Sequence, residues 1–195
     1  MPLAPAVRLR SSIVSAPCQI LLVCGSLREA STNAAALRTI VAAPVAGVSA
    51  TVFDGLALLP HFNPDDDTEP LPAPVADLRA RIAAADAVLF STPEYAGALP
   101  GSFKNLLDWT IGGGEIYQKP VAWINVSTMP TGAAGAHASL RTVLGYAGTR
   151  IIDAACAQIP VARHAVGEDG LIHDDALRRE IAAAVAALRD GAHSP

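Results

Sequence analysis

Apolar positions fall in short solid blocks separated by longer stretches of helical spacing. "QILLVC" (19–24), "VSATVF" (48–53), "DAVLFS" (86–91), "PVAWINV" (120–126) and the run "RIIDAACAQIPVA" (150–162) are rich in Val, Ile, Leu and Ala. Solid apolar runs of this length read as strands buried on both faces. Between them, residues 33–45, 75–85, about 135–147 and about 174–190 show helical spacing, and Phe103, Leu106, Leu107 and Ile111 share one face of a further helix. Pro44, Gly47, Asp54-Gly55 and Gly112-Gly113-Gly114 punctuate the pattern. Strands alternating with helices predict an α/β fold: a three-layer sandwich with a five-stranded parallel sheet and helices on both faces. Right-handed crossovers leave few topologies, and the order 2-1-3-4-5 suits this length.

That order makes a prediction about location. Ligands bind outside the carboxyl ends of such a sheet, where the chain direction switches between strands 1 and 3. The loops there are "GSLREASTN" (25–33) and "TPEYAGALPG" (92–101). The first offers Gly25 for a tight turn, donors at Ser26, Ser31, Thr32 and Asn33, and a cation at Arg28. Backbone N–H groups at a helix start, hydroxyls and a guanidinium together suit a phosphate. A plain helix cap would account for one of Ser31, Thr32 or Asn33, but not for a cation at the positive end of a helix dipole. In the second loop Pro93, Gly97, Pro100 and Gly101 stiffen a backbone able to border a flat heteroaromatic ring, with Tyr95 stacking on or edging it. "STMPTGAAGAH" (127–137) can wall the same site.

Composition narrows the function classes. The chain has 195 residues and a formal net charge of −4, with no basic footprint for nucleic acid. No apolar run reaches the roughly 20 residues a bilayer requires. Cys18, Cys24 and Cys156 form no CxxC pair, so a disulfide framework is not expected and a cytoplasmic location is. The five histidines lack metal-ligand spacing, so no metal site is expected. There is no G-x-G-x-x-G after a strand, no Walker A motif and no G-x-S-x-G elbow. Residues 1–16 have no acid and no apolar core of a signal peptide, and are expected to be a disordered tail; residues 17–195 are expected to be one domain. The proline-rich segment 56–74 is too long for a plain connection, and its acids Asp65, Asp66, Asp67 and Glu69 read as a solvated loop.

The motifs "GSLREASTN" and "TPEYAGALPGSFKNLLDW" resemble those of the NAD(P)H-dependent FMN reductase family, including its quinone, chromate and azo-dye reductase relatives. The likeness extends over roughly residues 19–190 and implies a flavodoxin-like fold. By resemblance, Ser26, Arg28, Ser31 and Asn33 fall on the FMN-phosphate motif, beside Thr32. Pro93, Glu94, Tyr95 and Gly97 fall on the motif that borders the isoalloxazine ring. Many members carry Asn after the tyrosine; this chain has Ala96, which leaves backbone contacts there. The family implies bound FMN, NAD(P)H as substrate with NADPH the favoured form, and a small-molecule electron acceptor. Because the cofactor carries the redox chemistry, no catalytic acid or base is assigned. The family also implies a homodimer or homotetramer in which Trp109 and the 56–74 segment meet a partner. Rival readings are a flavodoxin-like electron carrier and a non-catalytic flavin- or nucleotide-binding module. A carrier would usually show a more acidic surface and no arginine in its phosphate loop.

Overall fold

The computed structural model describes residues 16–194, so nearly all of the tail expected over 1–16 lies outside the described residues. The strands are β1 (Cys18–Cys24), β2 (Val48–Phe53), β3 (Ala87–Ser91), β4 (Pro120–Asn125), β5 (Arg150–Ile151) and β6 (Ala157–Gln158). The helices are α1 (Thr32–Ala42), α2 (Ala73–Ala84), α3 (Gly101–Trp109), α4 (Ala134–Tyr146) and α5 (Asp175–His193). All pairings are parallel, in the order β2-β1-β3-β4-β5, with β6 also on β4. The expected order 2-1-3-4-5 is therefore present, in a flavodoxin-like fold.

Side chains alternate between the two faces, as the pleat requires. Leu21, Val23, Val88, Phe90, Val121 and Trp123 pack under α2, α3 and α4. Ile20, Leu22, Leu89, Ala122 and Ile124 pack under α1 and α5. Both sets are nearly inaccessible, which explains the solid apolar runs. Truncating one such residue, as in Leu22→Ala, costs about 2–5 kcal/mol.

Two expectations need correction. The fifth strand is not continuous: a 3-10 turn at Asp153–Ala155 divides 150–162 into β5, on Pro120 and Val121, and β6, on Ile124 and Asn125. Asp153 sits in that turn, and its exposed carboxylate accepts from Arg141 at 2.6 Å. The acids of the 56–74 segment are also not all solvated. Asp67 accepts from Arg79 Nη2 at 2.7 Å, and Arg79, only 8% exposed, donates from Nε to the Trp109 carbonyl at 2.9 Å. A Cβ at Gly112 would overlap the Asp67 carboxylate, so glycine there makes room for the ion pair. Trp109 Nε1 and Asn105 Nδ2 both donate to the Pro60 carbonyl at 2.8 Å, and Phe62 lies edge-on to Trp109 at 5.0 Å. The apolar stripe of α3 ending at Trp109 thus faces the core and the protein's own 59–67 segment.

Candidate active site

β1 empties at Cys24 into a crevice between the carboxyl ends of β1, β3 and β4. Gly25 N–H donates to the Ser91 carbonyl at 2.8 Å, which extends the sheet by one residue. A Cβ at Gly25 would lie 2.4 Å from Thr92 Oγ1 and 3.0 Å from Phe103, so the glycine serves close approach of two loops, not a positive φ. The chain then swings outward through Ser26, whose Oγ accepts from Arg28 N–H at 3.3 Å, and re-enters at Ser31. Ser31 is the N-cap of α1: its Oγ accepts from Ala34 N–H at 3.3 Å and its carbonyl from Ala35 N–H at 2.9 Å. Among the described residues, nothing accepts from the N–H groups of Thr32 and Asn33. Two donors at the positive end of a helix therefore face the crevice.

Asn33 is committed differently. It is 6% exposed, and its Oδ1 lies 2.9 Å from Ser91 Oγ, which is also 2.9 Å from the Ile124 carbonyl. The serine carries one proton and donates to one of them at a time. The Asn33 Oδ1 ties α1 to β3 and β4, while its Nδ2, with no partner among the described residues, and its backbone N–H remain donors at the cleft it lines. Arg28 is exposed and has no ion-pair partner among the described residues.

The second loop forms a tight turn. Tyr95 N–H donates to the Ala98 carbonyl at 3.0 Å and Ala98 N–H to the Tyr95 carbonyl at 3.1 Å. Ala96 and Gly97, the central residues, have φ of 51° and 75°, the pattern of a type I′ turn. Glu94 turns away from the turn: its Oε2 accepts from Ala136 N–H at 2.9 Å, in the first turn of α4. The third loop is pinned by Asn125, whose Nδ2 donates to the Gly132 carbonyl and whose Oδ1 accepts from Ser127 N–H at 3.0 Å.

These loops enclose a cleft of about 460 Å³, within the range of small-molecule sites. Ser26, Arg28, Ser31, Thr32 and Asn33 line one end, with Pro93, Glu94 and Tyr95 on the wall. Ala96 and Gly97 are exposed at the tip of the turn rather than in the lining. Tyr95 is 45% exposed and Met129 66%, forming an apolar rim. Sequence reasoning missed Thr92, Asn125 and Arg163. Thr92 and Asn125 share a readable signal, a polar residue closing an apolar strand. Arg163 joins Arg28 at the cleft from beyond β6 and had none, because its placement depends on the divided fifth strand. Burial pushes the Cys24 thiol upward from its ordinary value. Among the described residues, no group of three or more His, Cys, Asp or Glu side chains could hold a metal ion.

The donors fit a phosphate monoester joined to a flat ring: free helix-start N–H groups and a guanidinium at one end, a stiff turn and an aromatic rim at the other. Comparison with known proteins agrees. Residues 18–163 match the family model for NADPH-dependent FMN reductase. The NAD(P)H-dependent FMN reductase of Pseudomonas aeruginosa is 32% identical over 173 residues, 88% of this chain and 93% of that protein. A quinone reductase of Pseudomonas putida is 32% identical over 148 residues, 73% of this chain and 75% of that protein. The solved structure of FerB, a flavoenzyme NAD(P)H:(acceptor) oxidoreductase from Paracoccus denitrificans, is 31% identical with a TM-score of 0.75, covering 89% of this chain and 96% of that one. With its sheet order, its crevice and its motifs all in place, the chain belongs to the NADPH-dependent FMN reductase family and is an oxidoreductase.

Proposed function

We propose that this protein passes reducing equivalents from NADPH through bound FMN to quinones. The observation that carries the reading is the convergence, in one cleft, of Arg28 and the free Thr32 and Asn33 N–H groups with Pro93 and Tyr95. When bound, FMN supplies the chemistry: a hydride from the nicotinamide reduces the ring, and the electrons then pass to the acceptor. The chain's own residues bind and orient. Arg28, the α1 N–H groups and the hydroxyls of Ser26, Ser31 and Thr32 would hold the phosphate; Ser31 accepts a cap bond and keeps its proton to donate. Pro93 and Tyr95 would border the ring, with the Ala96–Gly97 tip of the turn holding Tyr95 in place outside the cleft. Tyr95 and Met129 leave an open apolar rim on which a nicotinamide and then a planar acceptor can stack in turn. This alternation is ping-pong, and no protein acid or base is required.

Quinones are preferred to chromate because the rim is apolar, and the quinone reductase relatives support that choice. NADPH is preferred to NADH because Arg163 leaves a second guanidinium at the cleft beyond the one the FMN phosphate occupies. We read residues 17–195 as one FMN-binding domain acting in the cytoplasm; among the described residues, no helix is long and apolar enough to cross a membrane. At least a dimer is expected, with exposed Leu27, Leu58 and Ile111 as candidate contacts. The test is NADPH oxidation with 1,4-benzoquinone, free FMN, an azo dye and chromate compared at equal concentration. The quinone should give the highest kcat/KM, and a higher value for chromate would refute the acceptor assignment.

A further inference from the structure

Glu94 holds an electrostatic position that its place in the motif does not explain. α4 begins at Ala134 with Ala133 as N-cap, a residue with no side-chain acceptor and a left-handed φ of 52°. The cap comes from a different loop, through the 2.9 Å bond from Ala136 N–H to Glu94 Oε2. The two segments touch closely. A Cβ at Gly135 would lie 3.0 Å from the same oxygen and in collision with the Gly97 carbonyl, so glycine at 135 lets the Pro93–Ala98 loop rest on the helix start. A helix N-terminus carries roughly half a positive charge, and a carboxylate set on it offsets that charge. Glu94, Thr131 and Ala133 all line the cleft. The wall therefore presents a net negative charge of roughly half a unit where an uncapped α4 would present a positive one.

We propose that Glu94 is a positioning residue that lowers the reduction potential of the flavin while holding the Pro93–Ala98 loop on α4; this rests on the FMN reading above. A hydride delivers two electrons and one proton, so a ring that is neutral when oxidised becomes anionic unless a second proton follows. A fixed carboxylate on the wall of a half-closed cleft raises the energy of that anion more than it raises that of the oxidised ring. By linkage, it weakens binding of reduced FMN relative to oxidised FMN. The reduced enzyme is then a stronger donor to its acceptor. In this role Glu94 moves no proton.

Two variants separate charge from capping. Glu94→Gln keeps a side-chain oxygen for the Ala136 N–H but removes the charge, whereas Glu94→Ala removes both. The readouts are the midpoint potential of protein-bound FMN, set against reference dyes, and the melting temperature of the apoprotein. Glu94→Gln should raise the ratio of reduced to oxidised flavin affinity about threefold to tenfold, tenfold being about 30 mV for a two-electron couple. Its apo melting should fall less than that of Glu94→Ala, because the amide oxygen keeps the bond from the Ala136 N–H. Glu94→Ala should show the same potential shift with a lower melting temperature. Equal potentials in flavin-loaded wild type and Glu94→Gln would overturn the tuning role and leave only a helix cap. A wild-type protein that binds no FMN would overturn the flavin reading beneath it, a result distinct from equal potentials.

Discussion

Arg28 borders three crevices that meet beside the start of α1, and it has no carboxylate partner among the described residues. A charge-assisted bond to a phosphate is worth about 1.5–3 kcal/mol. Arg28→Ala should therefore weaken FMN binding about tenfold to a hundredfold, measured by calorimetry, while apo melting holds or rises as a cation leaves the positive end of the helix. Ser31→Ala should lower apo stability by about 1 kcal/mol, because the Ala34 N–H loses its acceptor. Unchanged FMN affinity in Arg28→Ala would show that the loop is a cap and nothing more. Ala96 carries a second residue-scale consequence. Its φ of 51° is one that a Cβ resists and asparagine tolerates. Ala96→Asn should raise the apo stability by about 1 kcal/mol in denaturant melts; a destabilised variant would contradict the type I′ assignment. At this scale the polar cluster of "GSLREASTN" was legible as chemistry, but the division of labour within it was not. Asn33 looked like a donor to ligand, and only the tertiary fold shows that its Oδ1 is also tied to Ser91 while its Nδ2 stays at the cleft.

Among the elements, α4 holds a histidine whose titration the fold opposes. His137, 9% exposed, makes a 2.9 Å contact from Nδ1 to the Ala133 carbonyl, and its buried Nε2 has no partner among the described residues. Burial holds its pKa below the ordinary value; the Ala133 bond and the nearby Glu94 charge oppose that without overcoming it. With a depressed folded pKa, the unfolded chain binds the proton first as pH falls. Stability from this group is whole above the unfolded value of about 6.5 and declines as pH drops toward the folded one. Apo melting should fall between about pH 7 and pH 5, and His137→Leu should flatten that slope. Parallel slopes for the two proteins would contradict the assignment. The sequence announced α4 through its periodicity, but not the cap from Glu94, which comes from 42 residues away. The same limit applies to the 56–74 segment. Its length marked it as unusual, yet the Asp67–Arg79 pair and the Pro60 contacts with α3 are tertiary and leave no local pattern.

For the whole molecule, topology was the most legible feature, because buried strands and amphipathic helices differ in period and parallel connections have one hand. From the order 2-1-3-4-5 the crevice followed, and with it the meeting of two loops, 25–33 and 92–101, that are far apart in the chain. What the acceptor is depends on the open rim at Tyr95 and Met129, and an exposed surface is shaped by no packing rule. If this cleft binds FMN and NADPH reduces it there, both steps are visible in one sample. Anaerobic titration of the FMN-loaded protein with NADPH, followed by its visible flavin absorption, tests both at once. FMN should stay with the protein through gel filtration, its absorption should bleach with one equivalent of NADPH, and added benzoquinone should restore it. Flavin that is lost on the column, or retained flavin that neither NADPH nor NADH bleaches, would contradict this reading of the cleft.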